Sequence, residues 1–119
     1  MIKIKTAFDE LIEPGAVIYV SGPMSGYPNN NVERFNFGCS VFREKLREVT
    51  VINPAEQDQN LSWEEVMKND LDDVNRATHL VFLDGWSLSR GARMEMKLAI
   101  DRGIKIVDGE KLLKKLLNS

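Results

Sequence analysis

The stretch His79-Leu80-Val81-Phe82-Leu83-Asp84-Gly85-Trp86-Ser87-Leu88-Ser89-Arg90-Gly91-Ala92-Arg93-Met94-Glu95 decides the fold. It begins as a short apolar run without clear polar alternation, which reads as a strand covered on both faces. It then breaks at Asp84-Gly85 and resumes after Ser89 with helical spacing, Ala92, Glu95, Met96 and Ala99 sharing one face. The same strand, loop and helix order repeats along the chain. Strands are predicted at Ala16 to Ser21, Val49 to Asn53, His79 to Asp84 and Ile104 to Val107, and helices at Val32 to Glu48, Ser62 to Arg76, Arg90 to Arg102 and Glu110 to Leu117. Such alternation implies an α/β fold, an open parallel sheet of four to five strands with helices on both faces. Ser62-Trp63-Glu64-Glu65 reads as a capping box, and Gly103 fits the C-terminal end of the third helix. Met1 to Pro14 adds either an edge strand through Ile2-Lys3-Ile4 or a helical turn through Phe8 to Ile12; the sequence leaves both open.

With 119 residues, 43% of them hydrophobic and 29% charged, the whole chain, residues 1–119, is expected to be one domain around a single core. Sixteen Lys and Arg against 18 Asp and Glu give a formal charge of -2, without a basic stretch interleaved with aromatics, so a nucleic-acid polymer is not an expected partner. The longest apolar runs, Ala16 to Val20 and Leu80 to Leu83, are far too short for a membrane span, and no signal-peptide pattern opens the chain, which reads as cytoplasmic. Cys39, the single cysteine, shares a helical stripe with Val32, Phe35, Phe42 and Leu46 and is expected in the core. One Cys and one His give no zinc-ligand spacing, so neither a metal nor a cofactor is expected, and Ser or Cys triad chemistry has little support.

Two carboxylates stand where solvated acids do not belong. Asp70 falls in the middle of the apolar stripe Trp63, Val66, Met67, Val74 and Ala77, and Glu95 falls on the inward face of the next helix, where Gly91 and Ala92 leave room for another molecule. Burying an unpaired carboxylate costs several kcal/mol or drives its pKa upward, so the pair points to acid/base or nucleophilic work. The competing reading is that each caps a backbone group or pairs with Arg76, Arg90 or Arg93. Polar and glycine residues concentrate after the strands, at the ligand edge of an open α/β sheet: Ser21-Gly22-Pro23-Met24-Ser25-Gly26-Tyr27-Pro28, Asn53-Pro54-Ala55-Glu56 and Asp84-Gly85-Trp86. Ser89 as helix N-cap with Gly91 in the first turn suits an anion such as phosphate, or is ordinary capping. Trp86 is either a stacking platform for a base or a rim residue over the core, whereas Trp63 is expected to pack inward.

The ordered set Ile18-Tyr19-Val20-Ser21-Gly22-Pro23-Met24-Ser25-Gly26, Asn69-Asp70-Leu71, Asp84-Gly85-Trp86 and Ser89-x-Gly91-x-x-x-Glu95 resembles the nucleoside 2-deoxyribosyltransferase superfamily. Within it the chain is most similar to small bacterial and phage members with a Gly-Pro-Met-Ser/Thr-Gly loop, and is related to the 2-deoxynucleoside 5-monophosphate N-glycosidases. The resemblance runs from about Val17 to Val107. It implies a flavodoxin/Rossmann-like fold, homo-oligomers, and a retaining attack on the anomeric carbon of a 2-deoxyribosyl group in a small nucleoside or nucleotide. By the same resemblance Glu95 matches the nucleophile, Asp70 the aspartate that assists the base or nucleophile, and Tyr19 a tyrosine beside it. Ser89 and Gly91 match phosphate-holding positions, Gly22 and Gly26 the first-loop glycines, and Met24, Asp84 and Trp86 complete the substrate-binding set. Ser25 stands where the monophosphate hydrolases carry an arginine, and the chain's last residues offer no counterpart to the C-terminal carboxylate of the transferases, so hydrolysis and transfer both remain open. So does a nucleotide-binding sensor or scaffold without turnover, since fold does not fix function.

Overall fold

Two short strands, β1 (Ile4–Lys5) and β2 (Leu11–Ile12), pair antiparallel with Ile4 opposite Ile12. They form a ladder apart from the main sheet in this computed structural model, which describes residues 4–5, 11–58 and 60–118. Neither expectation for the N-terminal segment is met as stated: the pairing is a separate hairpin rather than an added edge of the main sheet, and Leu11 and Ile12 are strand rather than helix. Ile12 drops into the core beside Ala16, which favours an extended chain there. Met1 to Lys3 and Phe8 lie outside the described residues.

The main sheet holds β3 (Val17–Ser21), β4 (Thr50–Ile52), β5 (His79–Phe82) and β6 (Lys105–Asp108), all parallel, in the order β4-β3-β5-β6. The intervening helices are α1 (Val32–Lys45), α2 (Trp63–Arg76) and α3 (Arg90–Asp101), followed by α4 (Gly109–Leu117). Parallel strands need crossovers, and these are right-handed in nearly all proteins. That rule puts α1 on one face and α2 and α3 on the other, as observed, and α4, which follows the last strand, packs beside α1. The expected α/β sheet is therefore found, with four strands.

β3 serves both layers. Its side chains alternate across the sheet, so Ile18 and Val20 enter the core under α1 and α4 with Phe35, Cys39, Phe42 and Leu112. Tyr19 enters the smaller core under α2 and α3 with Val74, Leu80, Met96 and Ala99. Full burial of side chains such as Phe35 and Phe42 contributes about 1.5–3 kcal/mol each, and neither is exposed at all. Cys39 is equally buried, and desolvation pushes its thiol up to about 12, so it is a core residue as expected.

Local chemistry sets most boundaries. The capping box forms as predicted: the Ser62 hydroxyl accepts from the Glu65 amide at 3.1 Å, and the Ser62 amide donates to Glu65 Oε1 at 3.0 Å. Asp108 caps α4 by accepting from the amides of Glu110 and Lys111. Gly103, at φ +71°, follows the end of α3 in the left-handed conformation that suits glycine. α1 stops at Lys45, short of the expected Glu48, because Leu46 turns extended to bury its side chain and Glu48 adopts φ +56° to lead the chain into β4. Ahead of α1, Asn29, Asn30 and Asn31 take left-handed φ values of 48°, 51° and 62° in succession, a conformation in which Asn is among the few tolerated residues. No helix among the described residues is long and apolar enough to cross a membrane.

Because β3 connects to β4 on one side while the chain returns to β5 on the other, the sheet has its switch point between β3 and β5. In open α/β sheets the crevice outside the carboxyl ends of such strands is where ligands bind.

Candidate active site

Beyond the carboxyl end of β3, the first turns of α2 and α3 wall a cleft of about 270 Å³. Tyr19, Phe35, Asp70 and Glu95 line its interior. Gly22, Met24 and Ser25 of the first loop, Pro54, Trp63, Val66 and Met67, and the run Leu88 to Ala92 form its walls. An adjoining hollow of about 200 Å³ shares Met24, Ser25, Pro54, Trp63 and Val66 with it and reaches Gln57 and Asp58. Each falls just below the roughly 300–1,000 Å³ of small-molecule sites, and together they lie within that range.

Glu95 is 5% exposed and held by two hydroxyls. Tyr19 Oη donates to Glu95 Oε2 at 3.0 Å and Ser21 Oγ donates to Glu95 Oε1 at 2.7 Å. The two donors alternate with Val20 on β3, so they project from one face of the strand beneath α3. Asp70, 4% exposed, accepts from Gln57 Nε2 at 2.6 Å, and Gln57 is steadied by Asn69, whose Nδ2 donates to Gln57 Oε1 at 3.1 Å. The competing ion-pair reading of the two acids is not what forms. Arg76 pairs with Asp73, the Arg93 guanidinium donates to Ser87 O, and Arg90 lies over the Trp63 ring at 4.6 Å.

Without a cation beside them, both carboxyls titrate high. Burial, reinforced by the charge of Asp70, lifts Glu95 to about 8 against the opposing hydrogen bonds of Ser21 and Tyr19. Burial likewise raises Asp70 to about 6, with the Gln57 bond opposing. The two acids interact directly, the charge of Asp70 opposing ionisation of Glu95. Both rises have burial as their first cause, as expected for the two inward-facing acids. Tyr19 is driven well above the ordinary phenol range, first by burial and then by the two acids, so it stays a donor.

Tyr19, Gly22, Met24, Asp70, Ser89, Gly91 and Glu95 thus meet around one cleft, whereas Gly26, Asp84 and Trp86 do not line it. Gly26 is exposed on the loop, and the Asp84 amide donates to Glu110 Oε2 at 3.0 Å on the α4 side. Trp86 packs tilted against Phe82, ring centroids 5.7 Å apart. Trp63, expected inside, is instead 37% exposed, walls both hollows and carries the Arg90 guanidinium over its ring. Gly91 abuts Met67: a β-carbon there would lie 3.0 Å from Met67 Sδ, so the missing side chain lets α2 and α3 close up rather than leaving open space. Ser89 caps α3 by accepting from the Ala92 amide at 3.2 Å. Sequence reasoning gives Ser21 a place in the first loop but no role, and does not reach Gln57 at all. The alternation of β3 could have flagged Ser21 as the same-face neighbour of Tyr19; for Gln57 the sequence carries no comparable signal. No group of three or more His, Cys, Asp or Glu suited to a metal occurs among the described residues.

The chain belongs to the family described as a domain of unknown function, DUF4406, which matches residues 16–108. No curated protein matches it in sequence. Among solved structures it is similar to a 2-desoxiribosyltransferase from Leishmania mexicana, with a TM-score of 0.62 and 15% identity over 78% of this chain. The match takes in 63% of that protein, so this chain spans less than two thirds of its length. The likeness is one of fold, and it agrees with the Rossmann-like sheet expected from the motifs.

Proposed function

We propose that this protein cleaves the N-glycosidic bond of a small nucleoside or nucleoside monophosphate, as a hydrolase or a deoxyribosyltransferase, with Glu95 as nucleophile and Asp70 as acid. The observation that carries the reading is the Glu95 carboxyl, buried at the floor of a cleft, gripped on both oxygens by Tyr19 and Ser21 and facing a second acid without a cation. The fold likeness to a deoxyribosyltransferase supports it.

Breaking the bond builds positive charge on the sugar, and a carboxylate beneath the anomeric carbon stabilises that charge and bonds to it. Glu95 attacks as the carboxylate, the glycosidic electron pair passes to the base nitrogen, and the Asp70 carboxyl supplies the proton that nitrogen takes up. The proton the pair shares must lie on Asp70 as the sugar cation forms, which leaves Glu95 as the nucleophilic carboxylate. Water, or the nitrogen of a second base, then attacks the anomeric carbon, gives its proton to Asp70 and releases Glu95. Tyr19 stays protonated and keeps its bond to Glu95 throughout.

Chromatographic assay of free base from ribo- and deoxynucleosides and their 5-monophosphates tests the proposal. Release by wild type and a loss of several orders of magnitude in Glu95→Ala are expected; undiminished release by a folded Glu95→Ala protein would refute the assignment. A second reading, a nucleotide-binding module without turnover, is favoured by the burial of Glu95, which works against the carboxylate form a nucleophile needs. Ligand-dependent melting without base release from any member of the panel would establish it.

A further inference from the structure

We infer that Ser21 is a positioning residue for Glu95: its hydroxyl, anchored on the strand behind the carboxyl, holds that side chain oriented and ionisable for attack. Ser21 is 1% exposed at the end of β3 and does not line the cleft. It therefore acts from the sheet side, through Glu95. A buried hydroxyl is costly unless bonded, and this one is directed at Glu95 Oε1 at 2.7 Å. An alanine would fill nearly the same space but would leave that oxygen short of a donor.

The charges around Glu95 show why one donor matters. From α2 comes Asp70, whose charge opposes ionisation of Glu95, while Asp73 behind it acts on Asp70, whose pKa it raises. On α3 itself Arg90 is turned onto Trp63 and Arg93 onto Ser87 O. From β3 come Tyr19 and Ser21. These two hydroxyls are the groups that favour the carboxylate, and Ser21 makes the shorter bond. Its hydrogen bond pulls Glu95 downward against the effect of burial.

Only the kinetic half of the test rests on the glycosidic reading. In the full-length protein, carbon NMR follows the side-chain carboxyl of Glu95, its signal identified by its loss in Glu95→Gln. Ser21→Ala is expected to raise the Glu95 midpoint by about one unit, and Ser21→Thr, which keeps a hydroxyl, to stay near wild type. An unchanged or lowered midpoint in a folded Ser21→Ala protein would overturn the inference. With whichever substrate releases base, Ser21→Ala should lose about tenfold in kcat/KM below the midpoint and recover toward wild type above it, with KM little changed and Ser21→Thr restoring the profile. A uniform loss at every pH would refute the inference and mark Ser21 as merely structural. If wild type releases no base from any substrate, the functional proposal fails while the titration still decides Ser21.

Discussion

Replacing Glu95 with Gln should make the protein more stable at alkaline pH while abolishing turnover. A carboxyl whose pKa is higher in the folded than in the unfolded chain binds its proton more tightly when folded, so it favours the fold at low pH and weakens it as pH rises. Glu95 moves from 4.5 to about 8. Between those values one such group removes about 1.4 kcal/mol of stability per pH unit, and from about pH 5.5 to 8 the loss approaches ~3 kcal/mol. For a chain of this size that corresponds to a fall in Tm of about 10 °C. The acids held low, Glu33, Glu56 and Glu65, act below this window, since their stabilising effect fades only as pH drops through their depressed pKa values. Glutamine keeps the shape and cannot ionise, and the Tyr19 and Ser21 hydroxyls can turn to meet its amide. Calorimetric melting of both proteins across the window, taken as a difference, reads Glu95 together with its effect on Asp70, which is itself raised to about 6. A wild-type Tm that is flat or rising relative to Glu95→Gln would refute the account of Glu95 as a buried, cation-free acid.

Asp70→Asn should slow release of poor leaving bases by at least about 100-fold yet spare a nitrophenyl deoxyriboside, whose leaving group departs without a proton; equal losses on both substrates would argue against an acid role. Ser89→Ala combined with Arg90→Ala should weaken a 5-monophosphate by about tenfold more than the matching nucleoside in titration calorimetry, since the α3 amides and dipole remain. The cleft is open along its Trp63 and Leu88 rim, Leu88 being 84% exposed. A second copy covering that rim is expected, most simply with two-fold symmetry, and light scattering showing an active monomer would remove that expectation.

The βα alternation, the capping box and the inward faces of α2 and α3 were legible because period and cap chemistry are local. Asp70 and Glu95 could be found from i+3/i+4 spacing alone. Of their partners only Tyr19 was reached, and through the family resemblance rather than through spacing. Ser21 and Glu95 stand 74 positions apart, and their contact depends on β3 lying centrally beneath α3, which sheet order determines and no local pattern reveals. Gln57 reaches Asp70 only because Asn53 starts a tight turn, its side chain accepting from the Ala55 amide at 3.0 Å. Trp63 departs from its expected surroundings because apolar periodicity tells which way a side chain faces but not what lies beneath that turn, whereas Trp86 takes the second of its two expected places, a rim residue packed on Phe82 over the core.

The alternation of β3 ties the integrity of the sheet to the chemistry above it. Ile18 and Val20 anchor one layer while Tyr19 and Ser21 grip Glu95 from the other. A slip of one residue would reverse every side chain of the strand, driving both hydroxyls into the larger core and withdrawing them from the acid in the same step. Misthreaded chains would thus be unstable and inert together, and the strand serves as its own proofreader: a copy of the protein that holds its sheet in register has, by that fact, an armed carboxyl.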